Sequence, residues 1–263
     1  MANLTTELGL PYFVAGAMAR DIVITHVFGM NAGQATKDVD FAVAMESWDQ
    51  YEAVEKKLLA RKQFEKGDAI HRLYFKHDSG VRYPLDIIPF GGLEQTPNTI
   101  AWPPELKILM NVVGYEEALA TAVTVQIEPD LLVRVASLPG LALMKIFAWI
   151  DRGHGTSKDA LDLRTLFRCY PQADNEARLY GDELGTLEAV GYDLDLAGPR
   201  LLGQDVRKIA KPSALRAIKE ALGDANTRDR LATHMAAGLR IAVDDFATAE
   251  RLLDQFTSGL EID

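Results

Sequence analysis

A single cysteine, Cys169, stands in a chain of 263 residues, so no internal disulfide can form and a cysteine-built metal site is excluded. Long apolar runs are equally scarce, since none approaches the roughly 18 residues that a membrane-spanning helix needs. The first residues, MANLTTELGL, lack the basic start and apolar stretch of a signal peptide. These absences lead us to expect a cytoplasmic protein with no membrane partner. The five histidines, at positions 26, 71, 77, 154 and 234, show no ligand spacing, and none is read as a metal ligand. Positive charge is short as well. With 28 Lys and Arg against 38 Asp and Glu, the net charge of −10 argues against broad nonspecific binding of nucleic acid but leaves room for a local basic patch. One such cluster, Arg200, Arg207, Lys208, Lys211, Arg216 and Lys219, could guide an RNA; a solvated face is the favoured reading.

What is present is ordinary globular material, 48% hydrophobic and 25% charged. The first 90 residues mix strand and helix signals, whereas the pattern from about 136 onward is nearly all helical. The expected fold class is α+β: a small mixed sheet with helices packed on it over residues 1–135, then a helical lobe over 136–263 that closes a nucleotide cleft. The proline-rich stretch 95–106 reads as a loop or insertion, followed by a strand pair near 108–113 and 122–127. The tail after Asp254 is expected to fray.

The stretch TKDVDFAV carries two acidic residues in an otherwise apolar strand. Alternation along a strand puts Val39, Phe41 and Val43 on one face and Asp38 and Asp40 on the other. The apolar face has a ready cover in SWDQYEAVEKKLLARK, where Trp48, Tyr51, Val54 and Leu58 recur at helical spacing after a Ser47 N-cap. The two carboxylates, about 7 Å apart, repel each other unless a cation or strong donors lie between them. Magnesium is the natural cation, although a solvated strand face is the commoner fate of a lone D-x-D pair. A second strand, RYPLDIIPF, hairpinned with IHRLYFKH, offers Asp86 as a third carboxylate, which would complete a site for two metal ions. Upstream, YFVAGAMARDIVI is a short apolar strand that breaks at Gly16 into a helix whose N–H groups could receive a phosphate.

Together these residues resemble the head of the DNA polymerase β-like nucleotidyltransferases: an apolar strand, Gly16-Ala17 where the family has Gly-Gly or Gly-Ser, a helix, then Asp38, Asp40 and Asp86. AGAMARD also looks like the GGxVRD start of CCA-adding and poly(A) polymerase heads. Ala17 departs from the pattern by removing a hydroxyl contact, and the 22-residue gap from Gly16 to Asp38 leaves THVFGMNAGQA as a mobile loop. Farther on, LALMKIFAWIDRGHGTSKDALDLRTLF is similar to the C-terminal helices of AbiEii/AbiGii-type nucleotidyltransferases, many of them toxins of toxin-antitoxin pairs. Lys145 and the run Lys158-Asp159-Ala160-Leu161-Asp162-Leu163 carry that match.

The resemblance implies transfer of an NMP from an NTP to an acceptor hydroxyl, on an RNA or tRNA end, a protein or a small molecule. It also leaves an antitoxin as a partner. Asp38, Asp40 and Asp86 would hold two Mg²⁺ ions, and Asp86 is the candidate to take the acceptor proton. Gly16 and Ala17 would cradle the triphosphate while Arg20, Lys145 and Lys158 neutralise it. Asp159 has two readings, support of that site or a capping role after Thr156. Lys145 either faces the cleft or carries its ammonium out to solvent. The alternative function is a nucleotide-binding or interaction module of the same fold with weakened turnover.

Overall fold

The computed structural model describes residues 1–33, 36–237 and 244–261, with side chains in the last stretch from 246. The chain divides into two compact units, one of Met1–Ile22 and Gln34–Ser137, the other of Val23–Gly33 and Leu138–Asp263.

The first unit is built on a mixed sheet. After helix α1 (Ala2–Glu7) come β1 (Tyr12–Ala15), helix α2 (Gly16–Asp21), β2 (Val39–Ala44) and helix α3 (Trp48–Leu59). A meander of β3 (Phe64–Lys66), β4 (Arg72–Lys76) and β5 (Arg82–Phe90) follows. The short strands β6 (Thr99–Ala101) and β7 (Leu109–Asn111), helix α4 (Tyr115–Ala120), and strands β8 (Val123–Glu128) and β9 (Leu131–Val135) complete it. Seven strands pair in the order β3-β4-β5-β2-β1-β9-β8. The β2–β5 and β1–β9 pairs are parallel and the others antiparallel.

Central position changes what β2 and β5 can expose. From Phe41 to Val43 and from Leu85 to Phe90 every residue is buried, because a central strand of a covered sheet is packed on both faces. The expected helix over 48–59 forms, and Tyr51, Val54 and Leu58 are its buried stripe. Ser47 takes the N-cap position without a side-chain bond. Its neighbour Trp48 joins a ring cluster with Tyr51 and the fully buried Trp102.

Trp102 corrects one expectation. The stretch 95–106 is not merely a loop, since β6 within it pairs with β7 as a separate two-stranded sheet. Pro97 and the Pro103–Pro104 pair flank that strand without interrupting it, so proline density concealed it. The segments near 108–113 and 122–127 do form strands, but β7 pairs back to β6 and β8 to β9. Of the expected loop THVFGMNAGQA, Thr25–Val27 belongs to a π-helical stretch, Ile22–Val27, and Gln34 and Ala35 lie outside the described residues.

The second unit is helical: α5 (Leu138–Arg152), α6 (Lys158–Cys169), α7 (Glu176–Leu179), α8 (Leu184–Glu188), α9 (Leu194–Ile209), α10 (Pro212–Gly223), α11 (Ala225–Ala236) and α12 (Asp244–Leu260). The tail does not fray after Asp254, because α12 runs on to Leu260 and buries Phe256 and Leu260 completely. It lies hard against α9. A Cβ on Gly203 would meet the Phe256 carbonyl oxygen at 2.3 Å, and one on Gly259 the Arg200 carbonyl oxygen at 2.1 Å. Only glycine permits that backbone approach. On α6 the stripe Leu163, Leu166 and Tyr170 is buried as expected. The Tyr170 hydroxyl donates to Asp205 at 2.6 Å, and Arg178 donates to the same carboxylate at 2.8 and 3.0 Å.

Candidate active site

In the first unit, strand register assembles the acidic residues. β1 and β2 run antiparallel with Ala15 opposite Asp40, and β2 and β5 run parallel with Asp40 beside Asp86. Cross-strand partners point to the same face, so these two carboxylates are neighbours although 46 positions separate them in the chain. Asp38 and Asp40 are half-buried, whereas Asp86 is only 6% exposed. Asp38 lies just ahead of β2, and its N–H donates to the Thr36 hydroxyl at 3.2 Å. The Thr36 N–H in turn donates to Asp21 at 3.1 Å, and Asp21 takes the Arg20 guanidinium at 2.5 Å.

Gly16 begins α2 directly against this face. Its φ of +64° lies in the left-handed region, and a Cβ added there would stand 1.8 Å from Asp40 Oδ2. The missing side chain is therefore the space that Asp40 occupies. Oxygen-only donors of this kind suit a hard cation such as Mg²⁺, and the cradle that a Cβ would fill leaves the carboxylate room to serve one. As they stand, however, no three His, Cys, Asp or Glu groups among the described residues are gathered tightly enough to hold a metal ion.

A cation already stands beside these carboxylates, the guanidinium of Arg72. Register places it opposite Asp86 on β4, and its fork donates to both carboxylate oxygens, Nε to Oδ1 at 2.6 Å and Nη2 to Oδ2 at 2.7 Å. That bond, with the charges of Asp86 and Asp38, raises the guanidinium further above its ordinary range. His71 Nε2 lies 3.7 Å from Asp86 Oδ2.

The remaining expected site residues, Lys145, Lys158 and Asp159, belong to the helical unit. Lys145, on the nearly all-apolar α5, is 7% exposed and points neither to solvent nor to an open surface. Its ammonium lies 2.9 Å from Asp159 and 2.5 Å from Asp162, one turn apart on α6. Burial alone would push that ammonium down, but the two carboxylates outweigh it and hold it above its ordinary value. Asp159 also accepts from Arg152 at 2.8 Å. Burial raises this carboxyl, and Arg152 and Lys145 more than reverse that, so it is held below the ordinary carboxylate range. Ser157, not Thr156, is the N-cap residue of α6. Thr156 Oγ1 still accepts from the Lys158 N–H at 3.2 Å, while the Lys158 side chain is exposed.

Beside this triad, Trp149 Nε1 donates to His234 Nδ1 at 3.1 Å, and Arg230 covers the Trp149 ring while bonding His154. Desolvation first, then Arg230 and His154, hold His234 below its ordinary value of 6.5. Accepting from Trp149 requires the neutral ring. A folded-state value below the unfolded one means that this contribution is complete above about pH 6.5 and is lost as pH falls through the depressed value. We expect melting temperature to drop on that acid limb in the wild type and less steeply in His234→Gln, whose amide oxygen can still accept. Parallel limbs in thermal melts across pH 4.5–8 would remove His234 as the cause.

Sequence reasoning missed Arg72, Arg152, Asp162, Asp21 and Thr36 as partners of the expected residues. Asp162 alone carried a local signal, lying one turn past Asp159 with an aspartate's short reach toward a buried neighbour. At least three of the six residues of the basic cluster are engaged by the fold: Arg200 bonds Gln255, Arg207 the Glu261 carbonyl, and Lys208 both Asp205 and Glu183.

Comparison with solved structures finds remote likenesses. An antigenic nucleotidyltransferase-like protein from Paracoccidioides brasiliensis is 15% identical, with 72% of this chain and 87% of that one covered and a TM-score of 0.41. The antibiotic-resistance factor ANT(2'')-Ia is 12% identical over 72% and 92% of the two chains, with a TM-score of 0.36. An apo CCA-adding enzyme is 14% identical over 97% of this chain and 68% of its own, with a TM-score of 0.31. No curated protein sequence matches. The family described as nucleotidyl transferase AbiEii toxin, type IV TA system, matches residues 34–249, most of the length of the chain, and this protein belongs to that family.

Proposed function

We propose that this protein transfers a nucleoside monophosphate from an NTP to an acceptor hydroxyl, with the sheet-bearing unit as the catalytic head. The observation that carries the reading is the in-register pair Asp40 and Asp86, with the glycine turn at Gly16 packed against Asp40. Asp38, Asp40 and Asp86 would hold two Mg²⁺ ions, which when bound would sharpen the acceptor hydroxyl and offset charge on the leaving pyrophosphate. The protein's own groups do the rest. Backbone N–H groups of Gly16 and Ala17 receive the triphosphate, and absence of a hydroxyl at Ala17 leaves only those N–H groups there. Asp86 takes the proton of the acceptor hydroxyl. Arg20 and Lys158 are assigned to phosphate charge, and Arg20 would exchange Asp21 for a phosphate oxygen, whereas Lys145, buried between Asp159 and Asp162, supports the helices rather than the phosphates. The acceptor would be an RNA or tRNA end, a protein or a small molecule, and in a toxin role an antitoxin protein would be the second partner.

Incubation with each labelled NTP, Mg²⁺ and total RNA or cell lysate tests the reading. We expect label in a macromolecular or small-molecule product, release of pyrophosphate, and loss of both on chelation. NTP-dependent thermal stabilisation without any labelled product would assign the chain to nucleotide binding alone. Neither product nor stabilisation would overturn both.

A further inference from the structure

Three side chains stand abreast on one face of the sheet: Asp40 on β2, Asp86 on β5 and Arg72 on β4, each in register with the next. The Arg72 fork spends one donor on each oxygen of Asp86, at 2.6 and 2.7 Å, a geometry that neutralises the carboxylate and fixes its plane. The neighbouring carboxylates of Asp40 and Asp86 would otherwise repel each other, and a positive charge already beside them weakens the site for a further cation.

We propose that Arg72 is the placeholder cation of this carboxylate site, setting its affinity for a divalent ion low until a triphosphate arrives to share the positive charge. This rests on the nucleotidyl-transfer reading and adds to it a reason for obligatory coupling between ion and nucleotide. Arg72 acts through Asp86 and the ion, so it is a positioning residue. When ion and nucleotide are both present, the phosphates add negative charge, and the guanidinium and the ion no longer compete for Asp86 alone. With nucleotide absent, the fork wins.

The test measures Mn²⁺ binding to the full chain, by the electron paramagnetic resonance signal of free Mn²⁺, with and without a non-hydrolysable NTP analogue. In the wild type the analogue should tighten Mn²⁺ by about tenfold or more, the scale of one charge at contact distance. Arg72→Met and Arg72→Gln should bind Mn²⁺ alone about tenfold more tightly than wild type and show little further gain from the analogue. Arg72→Lys keeps the charge and should stay near wild type in metal affinity. Metal-free Arg72→Met should melt earlier than wild type and recover when Mn²⁺ is added. Equal or weaker Mn²⁺ binding by folded Arg72→Met or Arg72→Gln overturns the inference, and so does a wild type whose Mn²⁺ affinity ignores the analogue. If wild type binds Mn²⁺ with the analogue and transfers nucleotide, such a result sinks the role of Arg72 alone. If it does neither, the nucleotidyl-transfer reading falls with it.

Discussion

Lys145→Met is expected to destabilise the protein by about 3–5 kcal/mol, the usual cost of removing one partner from a buried ion pair. Methionine matches lysine in length and packs readily on an apolar helix, so volume is not the issue. Charge is. Asp159 and Asp162 are 1% and 3% exposed, and the ammonium between them is the cation that both face, at 2.9 and 2.5 Å. Arg152 remains for Asp159, but its own side chain is mostly exposed and its charge is screened by solvent. The pH dependence follows from the directions of the shifts. Lys145 is held above 10.5, so its share is present below that value and is lost as pH rises beyond it. Asp159 is held below 3.8, so its share is present above that value and is lost as pH falls through the depressed one. The gap between wild type and variant should therefore be flat from about pH 4 to pH 10 and close outside that range. Urea denaturation at neutral pH measures it. A difference under about 1 kcal/mol would show that the triad behaves like a surface pair, and adding Asp162→Asn to Lys145→Met should then recover nothing; on the buried reading it should recover a large part of the loss.

That triad also marks how far sequence can be pushed. The helices that carry Lys145 and Asp159 were legible from apolar spacing, and both residues stood out as polar intruders on buried faces. Their meeting was not, because nothing local says which face of α5 packs on which turn of α6. The same limit applies to the sheet. Alternation in TKDVDFAV and RYPLDIIPF identified the acidic face of each strand. Register decides that Asp40 stands beside Asp86, and it is set by a crossover through α3, β3 and β4 whose length fixes no offset. Arg72 was hidden for that reason, since its hairpin was foreseen but a one-residue slip would have sent it to the opposite face. Strand β6 was obscured by prolines at its borders, and the end of α12 by short range from the terminus, where packing of Phe256 and Leu260 overrides any tendency to fray.

Asp40→Ala is expected to abolish nucleotide transfer, and Gly16→Ala to lower it about 100-fold through the same carboxylate. The two changes act from opposite sides of one contact. Alanine at position 16 meets two penalties. Left-handed backbone costs a non-glycine residue roughly 1–2 kcal/mol, and its Cβ would stand 1.8 Å from Asp40 Oδ2 and 2.8 Å from Cγ. A carboxylate at the end of a short side chain can swing away from that clash, so the loss of stability should stay near the backbone cost. Its position cannot be kept. Re-aiming Asp40 by an ångström spoils whatever it holds, which is why the effect on rate should far exceed the effect on folding. Combining the two substitutions separates the causes. In an Asp40→Ala background the steric part of Gly16→Ala has no partner and only the backbone cost remains, so the two stability changes should add to within about 0.5 kcal/mol. Transfer rates and urea midpoints for the four proteins decide it. Gly16→Ala with a rate within a few-fold of wild type would show that the position of Asp40 does not matter to the reaction, and the acidic face of the sheet would lose its claim to be the site.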